Sequence, residues 1–265
     1  MHEKERHSTI LQAVKERPVV TIEELVALTE SSEATVRRDI THLHAQNQLR
    51  RVRGGAEAIN QPHLAGTPFT INATKNMAQK RAIAKAAVEL CADNEPVIIN
   101  GGTTTFQMVH FMTGRIMPVF TNSFPIAEHL LKHSKNIVTM PGGTIYREQN
   151  IILSPFDNDM TQNFSAKRMF TSAQALGPFG VMESDPLLIL AEHKLLNQAE
   201  ELIVLADSSK FKQHSSLVLC KLSRVTMVIT DSGIEEREVE FLREAGIALN
   251  IVGLDAGQQE SSLSA

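Results

Sequence analysis

The chain has 265 residues, 42% of them hydrophobic and 21% charged, with a formal net charge of −4. That length suits a small domain beside a medium-sized one. No apolar run approaches the ~18 residues that a membrane-spanning helix needs. The charged opening Met1-His2-Glu3-Lys4-Glu5-Arg6 does not read as a secretory leader. The expected setting is therefore the cytoplasm, with no membrane partner. The absence of Trp and the presence of one Tyr exclude a row of stacking aromatics as the means of holding nucleic acid. Cys91 and Cys220 are far apart and lack metal-ligand spacing, so they read as reduced thiols in or near a core.

In chain order, Ile10, Leu11 and Val14 mark the apolar face of a first helix that Pro18 stops, and Val19-Val20 suits a short strand. Thr21-Ile22-Glu23-Glu24 has capping-box spacing for a second helix, which Leu25 and Leu28 should bury. Thr29 to Ser32 reads as a turn, with a serine capping a third helix over 33–45. There Val36, Ile40 and Leu43 share the core face. Ala34, Arg37, Arg38 and Thr41 then fall on the exposed side, a combination suited to a major groove. Asp39 should orient an arginine, because a carboxylate facing phosphates would be repelled.

Residues 49–59 then place two short extended runs around Gly54-Gly55, the signature of a hairpin. A basic hairpin after such a helix is a wing whose arginines reach phosphates or the minor groove. Charge distribution agrees: between Ala34 and Ala56 stand Arg37, Arg38, Arg50, Arg51 and Arg53 against Asp39 alone. The candidate DNA-binding set is Ser32, Ala34, Thr35, Arg37, Arg38, Thr41, Arg51, Arg53, Gly54 and Gly55.

Residues 60–74 lack apolar periodicity and read as a linker. Helical spacing resumes at Met77 through Ile83, Ala84, Ala87 and Leu90. Strand-like runs at 96–99, 117–120, 137–140, 202–205, 227–229 and 249–252 then alternate with helical segments near 104–112, 126–132, 186–199 and 235–245. This alternation predicts a mostly parallel sheet covered by helices, with ligands bound outside the carboxyl ends of its strands. Small polar residues gather at those ends: Asn100-Gly101-Gly102-Thr103-Thr104-Thr105, Thr121-Asn122-Ser123, Gly142-Gly143 and Asp207-Ser208-Ser209-Lys210. Glycine admits a ligand to the backbone, N–H groups at helix starts attract anions, and Lys210 supplies opposing charge. His129 and His133 are four apart on a helix but lack a third ligand nearby in sequence, so no metal or cofactor is expected.

Thr35-Val36-Arg37-Arg38-Asp39-Ile40 and Arg51-Val52-Arg53-Gly54-Gly55-Ala56 resemble the signature of the DeoR family of bacterial sugar-metabolism regulators. The blocks at 101–105, 121–123, 142–143, 207–211 and 229–231 resemble that family's sensor domain in the same order. The resemblance implies a winged helix-turn-helix over 1–59 and a phosphosugar-isomerase-like α/β sensor domain over 75–254, with a disordered tail over 255–265. It further implies a phosphorylated sugar or sugar-acid effector and a homo-oligomer, dimer or tetramer. By position it adds Lys80 and Lys194 to the effector-binding set. Asn100 stands where the family usually has Asp, and Ile152-Leu153-Ser154-Pro155 replaces a common Val-Gly segment. With Met169-Phe170-Thr171-Ser172, these departures resemble the ascorbate-utilisation branch, which would imply a phosphorylated ascorbate. The function expected is repression of a sugar or sugar-acid operon, relieved by the effector while operator DNA is the partner. An activator using the same sites is the alternative. A sugar-phosphate isomerase using Glu183, Asp185, Glu192 or Asp207 is disfavoured, because the sequence shows no closely spaced carboxylate pair.

Overall fold

The computed structural model describes residues 2–16, 20–46, 48–52, 54–57, 69–156 and 158–254. The chain separates into two compact units, Met1–His63 and Leu64–Ala265. The expected disordered tail and most of the expected linker lie outside the described residues. The last part of that linker, Phe69–Thr74, is helical instead and belongs to the second unit. The Phe69 N–H donates to the Glu148 carbonyl, and its ring meets Phe106 edge-on.

The first unit runs α1 (Glu3–Glu16), β1 (Val20–Thr21), α2 (Ile22–Thr29), α3 (Glu33–Ala45), β2 (Arg50–Val52) and β3 (Gly55–Glu57). Thr21 caps α2 with both halves of the capping box formed, so two opening N–H groups are satisfied reciprocally. Ile10, Val14, Leu25, Val36, Ile40 and Leu43 close one core. Leu28 departs from expectation: it is 50% exposed, on the side of α2 away from that core. The three strands form an antiparallel sheet in the order β1-β3-β2.

The second unit contains α4 (Phe69–Thr74), α5 (Met77–Glu89), β4 (Val97–Ile99), α6 (Thr103–Phe106), β5 (Pro118–Phe120), α7 (Phe124–His133), β6 (Ile137–Thr139), β7 (Thr144–Tyr146), β8 (Ile151–Leu153), β9 (Ala166–Ser172), β10 (Ala175–Gly177), β11 (Gly180–Glu183), α8 (Pro186–Leu196), β12 (Ala199–Leu205), β13 (Leu217–Cys220), β14 (Met227–Asp231), α9 (Glu236–Glu244) and β15 (Ala248–Val252). A seven-stranded parallel sheet has the order β15-β14-β12-β9-β4-β5-β6. Side chains alternate faces along each strand. Ile99, Phe170, Ile203 and Ile229 pack with Ile83, Met108 and Leu130 on one side. Ile98, Met169, Val204 and Val228 pack with Leu195, Leu242 and Val181 on the other. The result is three layers, with a small antiparallel sheet, β10-β11-β13, joining the second face.

Several elements differ from the sequence reading, which placed no strand at β7, β8, β10, β11 or β13. The helix expected over 104–112 is α6 followed by a tighter 3₁₀ run, Gln107–Phe111. The helix expected to reach residue 199 stops at Leu196, because Ala199 already pairs with Ala166. The central strand β9 was unforeseen: Lys167 and Arg168 interrupt its apolar pattern, and Arg168 is held by Glu95 at 2.5 Å and Glu201 at 2.8 Å. Cys91 is buried and Cys220 half-buried, and burial pushes both thiols up to about 11.

Candidate DNA-binding face and effector cavity

The hydroxyl of Ser32 accepts the Thr35 N–H at 3.3 Å and lies 2.8 Å from the Thr35 hydroxyl, so these two candidates set the start of α3. Beyond that cap, Ala34, Arg37, Arg38 and Thr41 are exposed, as their spacing required. Arg37 is paired along the helix with Glu33 at 2.6 Å. The Thr41 hydroxyl accepts from the Arg51 guanidinium at 3.2 Å, which ties the hairpin to the recognition helix. A cleft between them is lined by Ile22, Arg37, Ile40, Arg51, Val52, Gly54 and Gly55.

Asp39 faces the other way. It is buried and accepts from Arg6 at 2.5 and 3.1 Å, with the His7 ring nitrogen 3.1 Å away. Burial opposes its ionisation, but the hydrogen bonds and charges of Arg6 and His7 outweigh that and hold its pKa below the usual range. The arginine it orients is thus Arg6 of α1.

The two wing glycines have separate roles. Gly54 makes the turn at φ +85°, with open space where a side chain would be. Gly55 is a correction to the DNA-binding set: it is buried in β3, and a Cβ there would lie 2.1 Å from the Val20 carbonyl oxygen. Arg53 lies outside the described residues.

In the second unit, a cavity opens at the carboxyl ends of β4 and β9. Its wall comprises Gly101, Gly102, Thr103 and Thr104 after β4, Ser172, Ala173 and Gln174 at the end of β9, and Glu183, Ser184, Leu188 and Glu192. Phe69, Asn72, Gln149, Ile151 and Lys210 complete it. A second cavity shares Asn72, Gln174 and Lys210 and adds Lys75, Asn76, Lys80, Asp207, Ser209 and Gln213. Gly102 is needed for this architecture, because a Cβ there would sit 1.9 Å from the Ser172 hydroxyl oxygen. Asp207 caps the turn Ser208–Phe211, accepting from Ser209 N–H at 3.2 Å and from the Asn76 amide at 2.9 Å. The Lys80 amine, in the first turn of α5, donates to the Asn72 carbonyl at 2.5 Å.

Other expected residues stand behind this wall. Asn122 accepts the Gly101 N–H at 2.8 Å and so holds the glycine loop. The Thr121 hydroxyl accepts from Ser123 N–H at 3.0 Å, Ser123 caps α7, and Thr105 donates to the Asn100 carbonyl at 2.7 Å. Ser208 binds Asp231 through its N–H at 2.7 Å and its hydroxyl at 2.9 Å. Asn100 is fully buried, donates to Thr171 at 2.9 Å, and lines neither cavity.

Two expectations are overturned. Gly142 and Gly143 follow the edge strand β6, two places from β4, and line neither cavity. Gly143 is pressed instead on the Leu153 carbonyl of the β7–β8 hairpin. The Lys194 amine is spent on the Ser154 and Phe156 carbonyls, at 3.2 and 2.6 Å, and fastens that segment to α8.

Sequence reasoning missed Ser172 and Gln174 because it missed β9. It weighed Glu183 and Glu192 only as acid-base groups, and the fold brings both to one cavity. Burial raises Glu183 to about 7 against the opposing pull of the Ser184 N–H and Lys210. Burial, reinforced by the Glu183 charge, lifts Glu192 well above the usual range against the opposing pull of the neighbouring Asn100 amide. Burial likewise lowers Lys80 to about 8, opposed by Asp207 and helped by Lys210 and Lys75. Lys210 is lowered by burial, with Asp207 and Glu183 opposing. His110 brings a third ring to His129, 4.9 Å between centroids, and His133 lies 4.6 Å from His129. Among the described residues, however, no group of three or more side chains is arranged to hold a metal ion, and no helix is long and apolar enough to cross a membrane.

Comparison with known proteins agrees with both halves. Residues 6–62 match the DeoR-like helix-turn-helix domain, and residues 75–232 match the DeoR C terminal sensor domain. The chain is 33% identical over 249 residues to the HTH-type transcriptional regulator UlaR of Shigella dysenteriae serotype 1 (strain Sd197), covering 94% of this chain and 99% of that protein. The same figures hold for UlaR of Escherichia coli (strain K12 / DH10B). Among solved structures, ribose 5-phosphate isomerase A of Methanocaldococcus jannaschii overlaps 50% of this chain and 53% of its own, at 15% identity and a TM-score of 0.38. The enzyme from Plasmodium falciparum overlaps 50% and 52%, at 12% identity and a TM-score of 0.37. The relatives matched along nearly their whole length are named as transcriptional regulators, not enzymes. With both of its domains matched in order, this chain belongs to the DeoR family of DNA-binding transcriptional regulators.

Proposed function

We propose that the protein is a cytoplasmic repressor of a sugar or sugar-acid utilisation operon, released from its operator by a phosphorylated effector. The observation that carries this reading is the convergence of Lys210, Lys80 and the Gly101–Thr104 loop on adjoining cavities in the same chain as an exposed Arg37-Arg38 face. Lys80 and Lys210 are buried enough to lose some of their hold on a proton, and a phosphate beside them would restore it. The backbone N–H groups of Thr103 and Thr104, at the start of α6, supply donors for the phosphate oxygens. The effector of choice is a phosphorylated ascorbate, supported by the resemblance to the ascorbate-utilisation branch.

Operator binding rests on Arg37, Arg38 and Ala34 at base edges, with Arg51, Arg53 and Gly54 on the backbone. The working assembly is a homo-oligomer whose paired recognition helices fit two half-sites. Effector binding favours an arrangement in which that spacing is lost.

A thermal-shift screen of sugar phosphates against their unphosphorylated analogues tests the effector. Stabilisation by a phosphorylated sugar and not by its analogue is expected, since only a ligand of the native state shifts the equilibrium. A gel shift on a duplex selected by the protein from a random pool should then show release by the same compound. Tighter operator binding in its presence would overturn repression, and equal stabilisation by the unphosphorylated sugar would overturn the anion site.

A further inference from the structure

We propose that Glu183 and Glu192 are the specificity-determining residues of the effector cavity, reading the hydroxyl-bearing end of the ligand while the lysine side takes its phosphate. The proposal rests on the effector reading above and deepens it. The two adjoining cavities differ in their balance of charge: Lys75, Lys80 and Lys210 with the single carboxylate of Asp207 border one, Glu183 and Glu192 border the other, and Lys210 stands in both walls. A ligand long enough to cross Lys210 therefore meets cations first and carboxyls second.

Glu192 is the stronger of the two observations. It is 2% exposed, lines the cavity, and its Oε2 has no hydrogen-bond partner among the described residues. The neighbouring Asn100 Oδ1 is also unpartnered, although that amide is fully buried. An unsatisfied buried polar atom carries a desolvation cost that a ligand group can remove. Hydroxyl groups suit the place, since each both donates and accepts, and a carboxyl kept neutral by burial can donate in turn. A second phosphate at that end would meet two acidic side chains instead of a counter-charge.

Asn100, where the family usually has Asp, fits the same scheme. An additional ionised carboxylate beside Glu192 would push the cavity towards repulsion. With an amide there, the acidic end keeps two carboxyls, the ionisation of both disfavoured by burial and that of Glu192 the more strongly. A site built to hydrogen-bond a hydroxyl rejects an analogue lacking it far more strongly than an apolar pocket rejects a missing methylene. These two side chains, rather than the phosphate cradle, thus decide which phosphorylated compound induces.

The experiment measures two probes on the intact protein by calorimetry: inorganic phosphate, and the tightest-binding member of a panel that includes L-ascorbate 6-phosphate and D-ribose 5-phosphate. In Glu192→Leu, sugar-phosphate affinity should fall about 10- to 100-fold with inorganic phosphate unchanged; in Glu183→Leu, whose charge acts on Lys210, sugar-phosphate affinity should fall by clearly more than that of inorganic phosphate. Glu192→Gln, which keeps a polar group of the same shape, should recover part of the loss. Lys210→Ala should weaken both probes. Melting curves establish that each variant is folded. If both probes weaken equally in the glutamate variants, or neither does, the assignment of these residues is overturned while the phosphate site stands. If no panel member binds the unaltered protein, the effector reading itself falls, and this proposal with it.

Discussion

Arg37, Arg38 and Asp39 are adjacent in sequence and do opposite work. The helix turns each by about 100°, so the two guanidinium groups face solvent while the carboxylate enters the interior to meet Arg6 and His7. Arg37→Ala and Arg38→Ala should each cost about 1–3 kcal/mol of operator affinity and leave the melting temperature unchanged. A gel shift beside a thermal melt checks this. Asp39→Ala should do the reverse, lowering the melting temperature by removing the buried carboxylate that Arg6 and His7 both hold. At the other site, Glu183 titrates near 7 when folded and in the ordinary carboxylate range when unfolded. The folded state then holds the extra proton, so this group's contribution is fully present below the unfolded pKa and is lost as pH rises through about 7. Glu183→Gln should flatten the fall in melting temperature across that window. An unchanged slope would mean that the carboxyl titrates alike in both states.

At the scale of elements, the winged unit was legible because each device was local: a capping box, a serine cap, a three-residue apolar face and a glycine turn. The finer assignment of Gly54-Gly55 was not, since what confines Gly55 is the Val20 carbonyl, brought there by strand pairing. Gly55→Ala should force β1 and β3 apart, costing about 1–3 kcal/mol as overpacking does. Operator affinity should drop with it as the wing loses its place, and chemical denaturation with a gel shift would show both. In the second unit, the parallel strands with clean apolar runs were readable and β9 was not. Its Lys167 and Arg168 look like surface residues until Glu95 and Glu201 are placed beside them. Ser172 and Gln174 were lost along with that strand. Lys194 misled for a related reason: nothing in its own helix reveals that the carbonyls of residues 154 and 156 will claim its amine.

For the whole molecule, the consequence is a division of labour between two units, each with its own core. Sequence patterns gave this division and the polar strand ends, yet the cavity is assembled from residues spanning Phe69 to Lys210. No single motif therefore discloses its acidic half. Lys210→Ala and Asp207→Ala should bind operator normally and fail to release it when effector is added. A reporter fusion would read this as repression that inducer cannot lift, and normal induction would remove both residues from the site.

Cys91 and Cys220 add one more consequence. With both thiols pushed up to about 11, only about one in ten thousand is ionised at neutral pH, and the thiolate is the form that oxidants and alkylating reagents attack. Both thiols should consequently react slowly with peroxide and with alkylating reagents, which a thiol-labelling time course on the folded protein would show.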